Sequence, residues 1–461
     1  KIKFFNREIC VCAHLTQTWH AQKACAEMGI RMKKVLWICN IMLPAIAREL
    51  GVLYSNREGW LSGIFEKVRE GQAPFCLGVC FPAQEELGME KPVMVEGVTC
   101  YGFQEDLNHP ELYQEALEEQ FRRIFADFEP DIVHIFGTEF PHTLAAVRAF
   151  HRPERTLIGI QGLCCRIAEA YMAGLPEKVQ SSVTFRDFLR QDSLRQQQEK
   201  FVKRGENEKE AIKGCLNITG RTRFDREGTA KINPKARYYA MNESMREEFY
   251  SDRWTLSGCE RHSLFLGQGD YPLKGMHLVL EAMGELKAEY PDIRLYVAGN
   301  NIIRKQSIKD LLKLPAYGKY LLKLIKKYHL EEQVVMLGRI SAEQMKKRML
   351  QSHVFVCASA LENSPNTVGE AMLLGVPVAA ARTGGIPDLL EEGKEGLLFT
   401  PLNSKELAEA VRKLFAEEKE KDGLCLSERL GKEGARRAGV THDRQLNYLR
   451  LLEIYEAIDE Q

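Results

Sequence analysis

Glu362-Asn363-Ser364-Pro365-Asn366-Thr367-Val368-Gly369-Glu370 sets two carboxylates, with seven residues between them, across the start of a helix. The apolar run Ala371-Met372-Leu373-Leu374 carries that helix on, and Gly375 before Val376-Pro377 ends it. Ser364 suits the N-cap, and Pro365 suits the first helical position, where its fixed φ helps and its missing amide hydrogen costs nothing. Glu370 then lies roughly 7–8 Å along the axis from the helix mouth. That mouth favours anions, because its free N–H groups and macrodipole point outward. A nucleoside diphosphate seated there would bring its ribose hydroxyls to Glu370 and an attached sugar to Glu362. The plainer reading makes both glutamates solvated flanks of a core helix. It leaves an unpaired Glu370 between Val368 and Met372, which is costly.

Working outward, residues 362–399, ENSPNTVGEAMLLGVPVAAARTGGIPDLLEEGKEGLLF, resemble the nucleotide-sugar site of retaining glycosyltransferases of family 4. The family's E-x7-E pair matches Glu362 and Glu370, its glycine pair matches Gly384-Gly385, and its later small residue matches Gly396. The resemblance is dense from 262 to 415, looser from 33 to 250, and leaves 1–31 uncovered. It implies the α/β fold called GT-B, with two Rossmann-like parallel-sheet domains facing an interdomain cleft.

Composition agrees. A chain of 461 residues with 44% hydrophobic content is long enough for two large cores. Net charge is zero, so no general attraction to nucleic acid or anionic lipid follows. Thirteen cysteines, spaced as Cys10-x-Cys12, Cys76-x3-Cys80 and Cys164-Cys165, match neither zinc geometry nor a secreted disulfide framework. This reads as a cytoplasmic protein with reduced thiols, free or held at the inner face of a membrane. No run reaches the 18 or so apolar residues of a membrane span.

Residues 1–31 show no clear apolar period, and Ile9 to Leu15 is interrupted by His14, too weak for a signal peptide. Met32-Lys33-Lys34 leads into the buried-strand pattern Val35 to Cys39, so the expected natural start is Met32. The extension is then an upstream translation artefact, or a small regulatory or packing arm.

From there strand and helix alternate, as a parallel sheet covered on both faces requires. The expected strands of the first domain are Val35–Cys39, Phe75–Phe81, Val93–Tyr101, Asp131–Ile135, Leu157–Ile160 and Leu216–Thr219. Ala236–Met241 should lead into a helix capped by Asn242. The resemblance places a glycine-rich loop near Gly59, where Glu58 stands in place of a second glycine. It also places an acceptor-side histidine at His134, whose partner position holds Phe136. His134, Glu139 and His142 are acceptor contacts or, for the histidines, residues satisfied in the core. Arg221 and Arg223 follow a strand end and either meet an anionic ligand or form ordinary surface charge. The domains expected are 32–250 with a returning helix within 440–461, and 262–439, joined near Phe249 to His262.

The second domain opens with Ser263-Leu264-Phe265-Leu266, then Gly267-Gln268-Gly269-Asp270-Tyr271-Pro272-Leu273-Lys274-Gly275. Gly267 and Gly269 begin a GxGxxG, but Pro272 takes the third glycine and no helix starts there, which argues against a dinucleotide site. In the resemblance Lys274 contacts the donor diphosphate. The usual arginine six residues earlier is Gln268, which carries no charge; Arg221, Arg261 and Arg339 are the candidate substitutes. Gly299, Asn300, Leu337 and Arg339, at strand ends, match the donor and base pocket, and Asn366, Thr367 and Val368 the diphosphate cradle. The basic stretch Arg304 to Lys327 suits a lipid-linked acceptor at a membrane surface or a solvated amphipathic helix pair.

The resemblance therefore implies a retaining, metal-independent transferase. It would move a sugar from a UDP- or GDP-linked donor to a glycan or lipid-linked acceptor in cell-surface polysaccharide biosynthesis. It needs no cofactor and involves no nucleic acid. The rivals are an inactive nucleotide-sugar-binding subunit and another GT-B enzyme such as a sugar-nucleotide epimerase.

Overall fold

A computed structural model describes residues 32–52, 59–70, 73–83, 89, 91–419 and 423–461. The extension 1–31 and the loop residues Arg57 and Glu58 lie outside them.

Two sheets organise the chain. The first holds β1 (Lys33–Ile38), β2 (Phe75–Pro82), β3 (Val93–Val95), β4 (Val98–Phe103), β5 (Ile132–Phe136), β6 (Thr156–Gly159), β7 (Asn217–Gly220) and β8 (Arg237–Ala240). Their order is β3-β4-β2-β1-β5-β6-β7-β8. Every pairing is parallel except β3 with β4. That exception is a hairpin, and it corrects the single strand expected over Val93–Tyr101: Glu96 and Gly97, both with positive φ, turn the chain back on itself there. The second sheet holds β9 (Glu260–Leu266), β10 (Arg294–Ala298), β11 (Val334–Gly338), β12 (Ser352–Cys357), β13 (Val378–Ala381) and β14 (Leu397–Phe399). It is all parallel, in the order β11-β10-β9-β12-β13-β14.

The central strands are buried along their length, as β12 shows at every residue. Helices on both faces explain their unbroken apolar character. Strand order reverses between β1 and β5 and again between β9 and β12. Loops leaving the carboxyl ends of strands diverge at such reversals and open a crevice. The 267–275 loop leaves β9, and the motif 358–366 leaves β12, so the second reversal brings the expected donor residues together.

The last helix, Arg444–Asp459, returns to the first sheet. Its Leu451, Ile454 and Ile458 join the core of Val35 and Trp37. Tyr455 fixes the angle of approach: its hydroxyl accepts from Trp37 Nε1 at 2.8 Å and lies 2.8 Å from His134 Nδ1.

Three further local expectations change. No helix follows Asn242; the chain runs on to a short 3-10 turn at Glu247–Tyr250. The reason is packing, since Glu243, Ser244 and Met245 are buried there. A Cβ on Gly63 would stand 2.6 Å from the Met245 carbonyl, so this backbone lies directly on helix Gly59–Glu70. That helix begins at Gly59 rather than Leu61, which puts Gly59 in its first turn. The motif helix runs Asn366–Leu374 with Pro365 at its cap, and Ser364 Oγ is buried without a partner instead of capping.

Candidate functional site

Lys274 and Glu362 meet at the mouth of the β9/β12 crevice. Lys274 ends a 3-10 turn at Pro272–Lys274, and Gly275 follows at φ 72. A Cβ there would lie 2.0 Å from the Ala358 carbonyl, so only glycine lets the lysine loop come this close to the loop after β12. Lys274 Nζ then donates to Glu362 Oε1 at 2.5 Å, and Ser359 Oγ donates to the same oxygen at 2.6 Å. Burial works against the lysine's charge, but Glu362 and Tyr271 outweigh it and hold its pKa above the ordinary value.

Gly384-Gly385 closes the other side. Gly384 has φ 52, and a Cβ on it would fall 1.8 Å from the Glu362 carbonyl. Gly385 N donates to that carbonyl at 3.1 Å. The glycine pair thus sets the backbone of Glu362, a reason for it independent of any ligand.

Glu370 is buried one turn into the helix, at 3% exposure. Its partner is Arg246, whose Nε and Nη2 both donate to Oε1, at 2.9 and 2.7 Å. Oε2 is buried and unpartnered. Burial raises this carboxyl's pKa, and Arg246 pulls it back down. Arg246 was missed by sequence reasoning, which placed it inside a helix; the one signal was that a buried glutamate on an apolar helix demands a cation from somewhere.

Of the three cations considered in place of Gln268, the structure puts Arg221 at the motif. It donates through Nη1 to Asn366 Oδ1 at 2.8 Å and through Nη2 to the Ser364 carbonyl at 2.9 Å. It is also ion-paired with Glu243 at 2.8 Å. Arg261 pairs with Glu417 at the far end of β9, and exposed Arg339 donates to Asn300 Oδ1 at 3.0 Å. Gln268 itself is exposed.

The expected base-side residues converge at the ends of β9, β10 and β11. Gly299 N donates to the Gly338 carbonyl at 3.0 Å, beside Leu337 and Arg339. Asn300 Nδ2 donates to Asp270 Oδ2 at 2.6 Å. Thr367 lies against Gly267, where a Cβ would meet its Cγ2 at 3.3 Å, and Val368 is buried.

The first domain closes on this edge. Thr222 Oγ1 donates to Asn363 Oδ1 at 2.8 Å, and Asn363 Nδ2 donates to the Gln161 carbonyl at 3.2 Å. Arg223 N and Nε each reach Asp388 at 2.7 Å.

The expected acceptor side is less uniform. His134 is fully buried and tilted against Phe136, with ring centroids 3.9 Å apart and planes at 33°. Burial lowers its pKa to about 3, so it is neutral. Its Nε2 is unpartnered, and it lines a small cavity with Gln161, Arg221 and Glu243 rather than joining Lys274 and Glu362. His142 is satisfied on both nitrogens, by Glu105 at 2.8 Å and Asn40 at 3.0 Å. Glu139 accepts from Thr138 N at 2.9 Å, and burial raises its pKa. Among the described residues no group of three or more His, Cys, Asp or Glu is placed to hold a metal ion, and no helix is long and apolar enough to cross a membrane.

Comparison with known proteins bears on this crevice directly. Residues 248–437 match the family described as glycosyl transferases group 1. Spore coat protein SA of Bacillus subtilis is 28% identical over 195 residues, 42% of this chain and 48% of that protein. The putative colanic acid biosynthesis glycosyltransferase WcaL of Salmonella typhimurium is 29% identical over 141 residues, 29% of this chain and 31% of its own length. The chain thus spans less than half the length of these curated relatives. Whole-chain likeness comes from solved structures. Sucrose-phosphate synthase of Thermosynechococcus elongatus superposes with a TM-score of 0.65 at 15% identity, covering 92% of this chain and 99% of that one. Anabaena Alr3699/HepE in complex with UDP-glucose gives 0.61 at 15% identity, over 94% and 100%. The fold is GT-B.

Proposed function

We propose that the protein is a retaining glycosyltransferase of the family 4 type, moving a sugar from a UDP- or GDP-linked donor to a glycan or lipid-linked acceptor. One observation carries the reading: Lys274, Glu362 and the mouth of helix Asn366–Leu374 converge where strand order reverses. The diphosphate meets Lys274 and the amides of Asn366 and Thr367, which take up charge as the leaving group departs. The sugar lies against Glu362, and the ribose against the free Oε2 of Glu370. Arg221 at the helix mouth stands in for the charge that Gln268 lacks. The reaction needs no metal, because cation and helix amides supply the stabilisation. The matching colanic acid enzyme and the UDP-glucose complex of the Anabaena protein support the donor and polysaccharide classes.

Calorimetry with UDP, GDP and their linked hexoses, followed by a donor-hydrolysis assay, tests this. The expected result is micromolar binding of one nucleotide class and slow donor turnover. Binding without turnover, even with acceptor extracts, would favour the inactive subunit, for which exposed Gln268 is the motive. No binding of any nucleotide refutes both.

A further inference from the structure

Helix Phe185–Arg190 is inside out. Its acidic residue, Asp187, is 1% exposed, while Phe185, Phe188 and Leu189 are 58%, 65% and 63% exposed. Asp187 faces inward because it caps two elements: it accepts from Thr184 N at 3.2 Å and from Ala316 N at 3.0 Å. The second bond crosses to the other domain and holds this helix beside the start of helix Ala316–Lys327. Leu311 and Leu312, 49% and 53% exposed on helix Ile308–Leu312, precede Ala316 by only a few residues. At about 3.3–3.6 Å per residue they lie within roughly 18 Å of it. Single exposed leucines are ordinary, but large apolar side chains gathered on one face mark an interaction site.

Charge decides what that face meets. Residues 301–328 carry eight Lys or Arg and one Asp, in a chain whose net charge is zero. Asp310 is taken by Arg304. Lys309, Lys313, Lys319 and Lys323 are exposed, and none has an ion-pair partner among the described residues. A second copy would meet the same positive charge and be repelled. Leucines beside lysines suit acyl chains beneath anionic headgroups, where aromatic and leucine side chains enter the interface and each lysine adds attraction.

Residues 301–313 continue directly from Gly299-Asn300 at the end of β10, and helix Phe185–Arg190 belongs to the connection leaving β6. We propose that this face docks on an anionic lipid surface and so presents the mouth of the crevice to the bilayer. The functional consequence, access to a lipid-linked acceptor, rests on the transferase reading; the docking itself does not.

Vesicle co-sedimentation of the full chain tests it, with equimolar phosphatidylglycerol and phosphatidylcholine against phosphatidylcholine alone. The expected result is binding to the anionic vesicles only, weakened as salt shortens the screening length. The combined variant Phe185→Ser, Phe188→Ser, Leu189→Ser should bind at least about 10-fold more weakly, having lost its inserting side chains. Lys309→Glu with Lys313→Glu should lose a similar factor by removing surface attraction. Both variants should keep the wild-type melting temperature and nucleotide affinity, since none of these side chains enters the crevice. If the aromatic variant misfolds, the lysine variant and the salt series still decide. Wild type left in the supernatant, equal binding by the lysine variant, or concentration-dependent dimers abolished by either variant would overturn the proposal. Any of these would leave the nucleotide result standing.

Discussion

Replacing Arg246 by alanine removes both hydrogen bonds to Glu370 Oε1 and leaves a carboxyl at 3% exposure with no cation beside it. Breaking a buried ion pair from one side costs about 3–5 kcal/mol, because the survivor keeps its desolvation penalty. Part of the loss belongs to Arg246 itself, whose guanidinium lies 4.8 Å from the Phe249 ring centroid; such a contact contributes about 0.5–2 kcal/mol. Arg246→Ala combined with Glu370→Gln should therefore recover most, but not all, of the lost stability. Urea unfolding of wild type, the single and the double variant gives both terms. The same carboxyl has a functional readout. If Oε2 accepts from a ribose hydroxyl, Glu370→Ala should weaken nucleoside diphosphate by about 1.5–3 kcal/mol, the worth of a charged hydrogen bond. That is roughly 10- to 150-fold in Kd. Arg246→Ala with unchanged stability would show that the pair does not form in solution. Equal nucleotide affinity in wild type and Glu370→Ala, measured by calorimetry, would refute the ribose assignment.

Lys274→Ala should cut donor turnover by at least ~10²-fold, the scale of losing one preorganised donor, and a chelator should leave wild type unaffected; full activity in the variant, or loss with chelator, overturns the metal-free account. Gly384→Ala should destabilise by more than about 1–3 kcal/mol, since it strains a left-handed backbone and drives a methyl into the Glu362 carbonyl 1.8 Å away; a melting temperature equal to wild type would refute that contact. His134 is held neutral by burial, its pKa lowered from 6.5 to about 3. The folded state therefore binds fewer protons than the unfolded chain, and this contribution, complete above pH 6.5, is lost as pH falls toward 3, at about 1.4 kcal/mol per unit. Denaturant stability of His134→Gln should accordingly lose less than wild type between pH 7 and 5 by roughly 2 kcal/mol; parallel pH profiles would refute it.

The two-sheet architecture and the loops that carry the expected donor residues were legible in sequence because both rest on local signals. Unbroken apolar strands, a Gly-ended helix and glycine pairs are readable within a few residues, and their order in the chain dictates which strand ends face the crevice. The helix signal Ser364-Pro365 ahead of an apolar run puts Glu370 about one turn inside a helix and Glu362 before its start, whatever the rest of the protein does. What each glutamate touches was not legible. Glu362 is bound by a lysine 88 residues away and Glu370 by an arginine 124 residues away. No local pattern encodes a pairing made by the β9/β12 reversal or by a segment crossing from β8. The helix forecast after Asn242 failed for the same reason: packing on Gly63 outweighed local propensity there. Likewise a histidine within a buried strand reads the same whether it meets a ligand or a tyrosine, and only the returning helix decided that His134 meets Tyr455. Chain-local chemistry determined the fold and where its charges stand. Tertiary contact alone decided which of those charges neutralise one another, because Coulomb attraction and desolvation depend on distances that the chain closes only when it folds.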